Sequence, residues 1–256
     1  MAECARPRAQ RRKKGENSGN SPRACLVDMA APEDGRTPPP SLRPCVNALI
    51  LVDIQNDFLP GGALPVPAGD QIIPVVNRLQ PHFDVVVATQ DWHPANHGSF
   101  AASHPGKQPG DIIELNGLPQ ILWPVHCVQH TSGAALVPGL HTTAIAQVFQ
   151  KGADPGLDSY SGFFDNGHRH STGLADFLKE RRVGDLFVVG LATDYCVKFT
   201  ALDAVTLGFK THLIEDACRG VNLQPGDVTK SLEEMNQAGV TLLTSTQLLD
   251  EQKTRN

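Results

Sequence analysis

Apolar, β-branched runs recur along the chain at about 48–53, 84–89, 145–150, 185–191, 210–215 and 240–244. Between them, apolar residues at helical spacing fall at about 70–81, 171–182, 194–207 and 227–238. Strand and helix alternating in this way predict an α/β fold, a parallel sheet with helices on both faces and right-handed crossovers. Gly208 and Gly239 stand where left-handed helix C-caps belong, and Asp70 and Ser171 stand near helix starts. Residues 91–144 break the rhythm, with few apolar runs and many His, Pro and Gly. Such an excursion belongs at one end of the sheet, where long loops are usually functional.

Three of the apolar runs lead into residues with chemistry to offer. LILVDIQNDF ends its run on Asp53, AQVFQKGAD ends on Lys151, and LFVVG leads into LATDYCV, which places Cys196 one turn into a helix. Thr193 is the N-cap candidate of that helix, whose unpaired first-turn N–H groups and dipole predict a lowered thiol pKa. Each residue has an ordinary alternative: Cys196 as a small buried hydrophobe, Asp53 as a turn cap, Lys151 as a cation reaching solvent. In an open parallel sheet, however, functional groups gather outside the carboxyl ends of the strands. An acid to take the thiol proton, a cation to hold that acid ionised and a nucleophile at a helix start make a unit for covalent attack on a carbonyl.

The excursion carries a second group. Asp91 and His93, in DWH after VVVAT, put a carboxylate and an imidazole on one side of an extended segment, and WPVHCV adds His126. Two imidazoles and one carboxylate suit Zn, Fe(II) or Mn(II), with positions left for water or substrate. A short D-x-H also arises by chance, so spacing alone leaves the metal open.

In the order DIQNDF, TQDWHPANHGSF, WPVHCV, QKGAD, DSYSGFFDN and GLATDYCV, over about Ala48 to Thr246, the sequence resembles the nicotinamidases of the isochorismatase-like cysteine hydrolases. The resemblance implies a six-stranded sheet in the order 3-2-1-4-5-6 and a catalytic triad of Asp53, Lys151 and Cys196. It implies an oxyanion hole from the backbone N–H groups of Ala192 and Cys196, with a cis peptide between Leu191 and Ala192. Asp91, His93 and His126 then hold one divalent transition metal ion (Zn, Fe or Mn), with His97 open as a fourth ligand, a support for another ligand or plain loop packing. Phe58, Trp123 and Tyr160 form an aromatic wall around a flat heteroaromatic ring, whose nitrogen the metal can take. The implied reaction is hydrolysis of nicotinamide to nicotinate and ammonia, in NAD salvage, with pyrazinamide as a further substrate.

Competing readings make different demands. Isochorismatases lack the nucleophilic cysteine, and carbamoyl- and ureido-hydrolases lack the D-x-H and PVH ligands. A non-haem Fe(II) oxygenase could use Asp91, His93 and His126, but on an all-β scaffold. A non-catalytic binding protein has no need of Asp, Lys and Cys at three strand ends.

Composition adds the boundaries. With 256 residues, 40% apolar and 19% charged, the chain suits one globular domain over 46–256. Residues 1–45 are rich in Arg, Lys, Pro, Gly and Ser and read as a disordered tail, in which RAQRRKK is a solvated run in preference to a nucleic-acid or anionic-surface patch or a localisation signal, and Met29 an alternative start. The net charge of -5 gives the domain no bias towards nucleic acid, and no apolar stretch reaches the ~18 residues of a membrane helix. Six cysteines with no CxxC pair are a reduced, cytoplasmic pattern, with Cys127 and Cys218 as packing residues. Self-association into a homo-oligomer is an open option.

Overall fold

The computed structural model describes residues 46–254. Eight strands and five α-helices follow in chain order: β1 (Val46–Val52), α1 (Ile73–Leu79), β2 (Val85–Asp91), β3 (Ile112–Leu115), β4 (Leu118–Ile121), β5 (Ile145–Lys151), α2 (Leu174–Glu180), β6 (Val183–Leu191), α3 (Lys198–Thr206), β7 (Lys210–Arg219), α4 (Asp227–Ala238), β8 (Thr241–Leu243) and α5 (Ser245–Lys253). Six strands form one sheet in the order β5-β2-β1-β6-β7-β8, every pair parallel. Numbered within that sheet alone, the order is 3-2-1-4-5-6, as the resemblance implied.

The central strand shows how the sequence builds two cores. Side chains alternate across a strand, and β1 is covered on both sides, so its run stays apolar throughout. Ala48, Ile50 and Val52 face a core shared with Leu174 and Leu178 of α2, Ala201 and Ala204 of α3 and Met235 of α4. Leu49 and Leu51 face the other, with Val76 and Leu79 of α1 and Leu248 of α5. Strand order reverses between β1 and β6, which opens the crevice at their carboxyl ends.

The expected strands all form, and Gly208 and Gly239 adopt φ of +92° and +105° beside helix ends, as αL caps. The expected helix at 70–81 is instead a 3-10 turn, α1 and a second 3-10 turn, with prolines near the starts of the last two. Ser171 lies ahead of the α2 cap, where its hydroxyl accepts from the Gly173 N–H at 3.1 Å. Three elements had no sequence expectation. Helix α5 is set by a capping box between Thr244 and Gln247, and β3 and β4 form an antiparallel hairpin inside the excursion. Among the described residues no helix is long and apolar enough to cross a membrane. The proposed tail, 1–45, lies outside the described residues.

Candidate active site

Asp53, Lys151 and Cys196 converge at the carboxyl ends of β1, β5 and β6. Asp53 follows β1 with φ of 48°, a left-handed backbone unusual for a residue other than glycine and frequent at functional sites. Its Oδ1 accepts a 2.6 Å hydrogen bond from the Thr89 hydroxyl, on the neighbouring strand β2. Its Oδ2 lies 2.9 Å from Lys151 Nζ. Lys151 ends β5 and is 2% exposed, and its ammonium also donates to the Ser159 carbonyl at 2.9 Å, to Asp91 Oδ1, and towards Cys196 Sγ at 3.4 Å. One buried cation therefore touches the acid, the thiol and a member of the second group.

Cys196 does not sit on a regular α-helical turn. Residues Thr193–Val197 form a π-turn, with Val197 N–H donating to the Ala192 carbonyl at 3.1 Å, before α3 begins. Thr193 is inside that turn and makes no cap: the N-cap position is Ala192, without a side-chain hydrogen bond. Single π-turns are rare and frequent at functional sites. The Leu191–Ala192 peptide is cis, as the resemblance implied. Asp194 anchors the turn by accepting from Val221 N–H at 2.9 Å and Asn222 N–H at 2.7 Å.

The electrostatics correct the expectation of a lowered thiol pKa. Burial pushes the Cys196 thiol well above its ordinary value; Lys151 pulls down, while Asp53 and Asp91 push up again. The helix terminus does not win, because the thiol is 7% exposed between two carboxylates. Burial likewise raises Asp53, against the pull of Lys151, and so makes it a better proton acceptor. For Asp91 the balance reverses: burial pushes up, but Lys151, His93 and His126 together hold it below the usual carboxylate range. Lys151 stays charged because Asp53 and Asp91 outweigh its own burial.

Asp91, His93 and His126 also meet. Their ligand atoms lie within 4.8 Å of one another, with Asp91 Oδ2 3.7 Å from His93 Nε2 and 4.0 Å from His126 Nε2. His93 Nδ1 is 2.8 Å from the Gly152 carbonyl and His126 Nδ1 is 2.7 Å from the Pro124 carbonyl. A carbonyl only accepts, so both rings carry a proton on Nδ1 and turn Nε2 towards Asp91. Burial and the neighbouring His93 depress His126 to about 4, which keeps it neutral and ready to ligate. Both separations are shorter than two metal–ligand bonds of about 2.1 Å, so the donor set fits one Zn-, Fe- or Mn-sized ion.

His97 is buried but differently arranged. Its Nδ1 lies 2.7 Å from the Ser99 hydroxyl oxygen and 3.2 Å from the Ser99 backbone nitrogen, and its Nε2 is buried without a hydrogen bond. A ligand-capable atom of His97 lies within 4.8 Å of ones on His93 and Asp158.

The pocket between the two groups is lined by Phe58, Trp123 and Tyr160, together with Tyr195, Ala192 and Asp158. The Trp123 indole N–H donates to Tyr160 Oη at 3.2 Å, and the Tyr195 ring stands edge-on to both. Sequence reasoning missed Thr89, Asp158 and Tyr195. The DSYSG and TDYCV blocks held two of them, but neither spacing nor residue type distinguishes a wall residue from packing. A larger groove at the opposite, amino end of the sheet, lined by Asn47, Asp185 and Lys210 among others, has no thiol or ligand cluster among the described residues.

These features lie on an open, doubly wound α/β sheet at its topological switch point. A family model described as the isochorismatase domain matches residues 47–247, and the chain belongs to that family. It is similar to the nicotinamidase of Escherichia coli (strain K12), at 57% identity over 201 residues, 77% of this chain and 94% of that protein. It is also similar to the solved structure of an Acinetobacter baumanii nicotinamidase and pyrazinamidase, at 50% identity and a TM-score of 0.78, covering 80% of this chain and 99% of that one. A pyrazinamidase of Pyrococcus horikoshii in complex with zinc aligns at 41% identity and a TM-score of 0.63, covering 77% and 98%. The chain is accordingly an amidohydrolase of the nicotinamidase type.

Proposed function

We propose that this protein hydrolyses nicotinamide to nicotinate and ammonia through a thioester on Cys196, with a divalent metal ion in the site, as a step of NAD salvage. The observation that carries the reading is the Lys151 ammonium, which joins Asp53, Asp91 and Cys196 in one buried cluster. Because the resting thiol is protonated, the reaction starts with transfer of its proton to Asp53. The Cys196 sulfur attacks the carboxamide carbon, and the backbone N–H groups of Ala192 and Cys196 receive the oxyanion, each such donor contributing roughly 3–4 kcal/mol to the barrier. Collapse breaks the C–N bond, and Asp53 returns its proton to the departing ammonia. Water then adds to the thioester with Asp53 as base, and the sulfur leaves reprotonated.

Asp91, His93 and His126 are the residues that would hold the ion, which supplies a Lewis-acid contact for the pyridine ring nitrogen. Phe58, Trp123 and Tyr160 enclose the flat ring. Pyrazinamide, whose ring is flat and carries nitrogen, suits the same wall. The test is ammonia release from nicotinamide by the purified protein, before and after metal removal: release that stops on chelation and returns with one equivalent of metal is expected. Full turnover in metal-free protein would overturn the metal's part, and no release from nicotinamide in metal-loaded protein would overturn the substrate.

A further inference from the structure

Asp158 has no part in the mechanism above, yet it is 3% exposed and lines the substrate pocket. Its Oδ1 accepts from the Ser159 N–H at 2.8 Å, and its Oδ2 accepts from the Gln120 amide at 2.9 Å. A carboxylate can take about four hydrogen bonds, so two of its sites are left. They matter because a ligand-capable Asp158 oxygen lies within 4.8 Å of ring nitrogens of both His93 and His97. Neither imidazole comes close enough to form an ion pair with it.

Charge makes the position harder to explain as packing. Three buried carboxylates, Asp53, Asp91 and Asp158, face one buried ammonium, Lys151. One ammonium cannot pair with all three, in a place where an unpaired buried charge is costly. Lys151 pairs with Asp53 and Asp91 and not with Asp158. Ring nitrogens of His93 and His97 lie within 4.8 Å of it instead. A divalent cation beside those imidazoles balances the cluster.

His97 adds a second polar atom. Its Nε2 is buried and without a hydrogen bond. Ligand-capable atoms of Asp158, His97 and His93 lie within 4.8 Å of one another, a separation that one bridging solvent molecule spans.

We propose that Asp158 is a positioning residue for the metal centre: its carboxylate, beyond the three ligands, accepts a hydrogen bond from solvent carried by the ion and supplies the balancing charge. Gln120 holds it in place. The same Gln120 amide donates to Tyr160 Oη at 3.1 Å, so hairpin β3–β4 ties the carboxylate to the aromatic wall. The inference rests on the reading of Asp91, His93 and His126 as metal ligands.

The test is cobalt(II) binding by the full-length apoprotein, read as a dissociation constant in chelator competition and as the visible spectrum of the bound ion, with no substrate present. Asp158→Asn keeps the shape and removes the charge; it is expected to bind cobalt(II) 10–100-fold more weakly, with a changed spectrum, as losses of outer hydrogen-bonding partners typically do. Gln120→Met leaves the carboxylate but frees it, and should weaken binding in the same direction by a smaller factor. Should Asp158→Asn not fold, Gln120→Met alone decides. Wild-type affinity and spectrum in the folded variants would overturn the role of Asp158 while leaving the ligand triad standing. Absence of stoichiometric cobalt(II) binding in the wild type would remove the triad and this inference together.

Discussion

Lys151 is the residue on which both halves of the site depend. Its ammonium is buried between Asp53 and Asp91 and reaches Cys196 Sγ, so removing it leaves two buried carboxylates without a counter-charge. Lys151→Met is therefore expected to lose about 3–5 kcal/mol of stability in urea denaturation as well as ammonia release. Loss of activity with wild-type stability would mean that the carboxylates find compensation elsewhere. The sequence made Lys151 legible as a cation at a strand end, and its bond to Asp53 followed from the chemistry of a triad. Its bond to Asp91 was not legible, since that depends on β2 lying between β1 and β5 in the sheet. The same reason explains the misjudged thiol: a motif shows a helix start, whereas burial by Asp53 and Asp91 from other strands appears only in three dimensions.

At the scale of elements, the site is set by how strands end. Gly152 follows β5 with φ of +66°, and a Cβ there would meet His93 Cε1 at 2.4 Å and Nδ1 at 2.7 Å. Its carbonyl is also the acceptor that fixes the His93 tautomer. Gly152→Ala should thus displace His93, costing about 1–3 kcal/mol in backbone strain and lowering the metal content per chain by elemental analysis. A variant that keeps a full equivalent of metal would show that His93 is not held from this side. The six sheet strands could be read because each carries a short apolar, β-branched segment, and α3 because its glycine cap is plain. Hairpin β3–β4 could not, since its strands are four residues each and Gln120 is their one buried residue. The π-turn at Cys196 leaves no pattern in residue type, so the helix start was placed at Thr193.

Across the whole molecule, the sheet carries a buried charge cluster at its carboxyl end and a more exposed one at its amino end. At the amino end, Asp185 accepts from His212 at 3.1 Å and Lys210 at 2.8 Å, and these partners, chiefly His212, lower its pKa from 3.8 to about 2 against partial burial. A depressed folded-state pKa stabilises above the unfolded value, and the contribution disappears as pH falls through the folded one. Acid unfolding should then have a component between pH 3.8 and about 2 that Asp185→Asn removes, with turnover at neutral pH unchanged. An identical acid profile in the variant would contradict it. The tail belongs to this scale as well. We propose that residues 1–45 contribute nothing to the site, so a chain starting at Met29 should keep kcat/KM within about twofold of full length. A tenfold loss would mean that residues 1–28 dock near the carboxyl edge of the sheet.

The central claim is that Cys196 carries the acyl group, and rapid-quench intact-protein mass spectrometry during nicotinamide turnover tests it most directly. The account predicts a transient nicotinoyl adduct that maps to Cys196, persists in Cys127→Ala, and is absent from Cys196→Ala together with at least about a hundredfold loss of ammonia release. Ammonia release from Cys196→Ala above about a hundredth of the wild-type rate, or an adduct mapping to another residue, would contradict it.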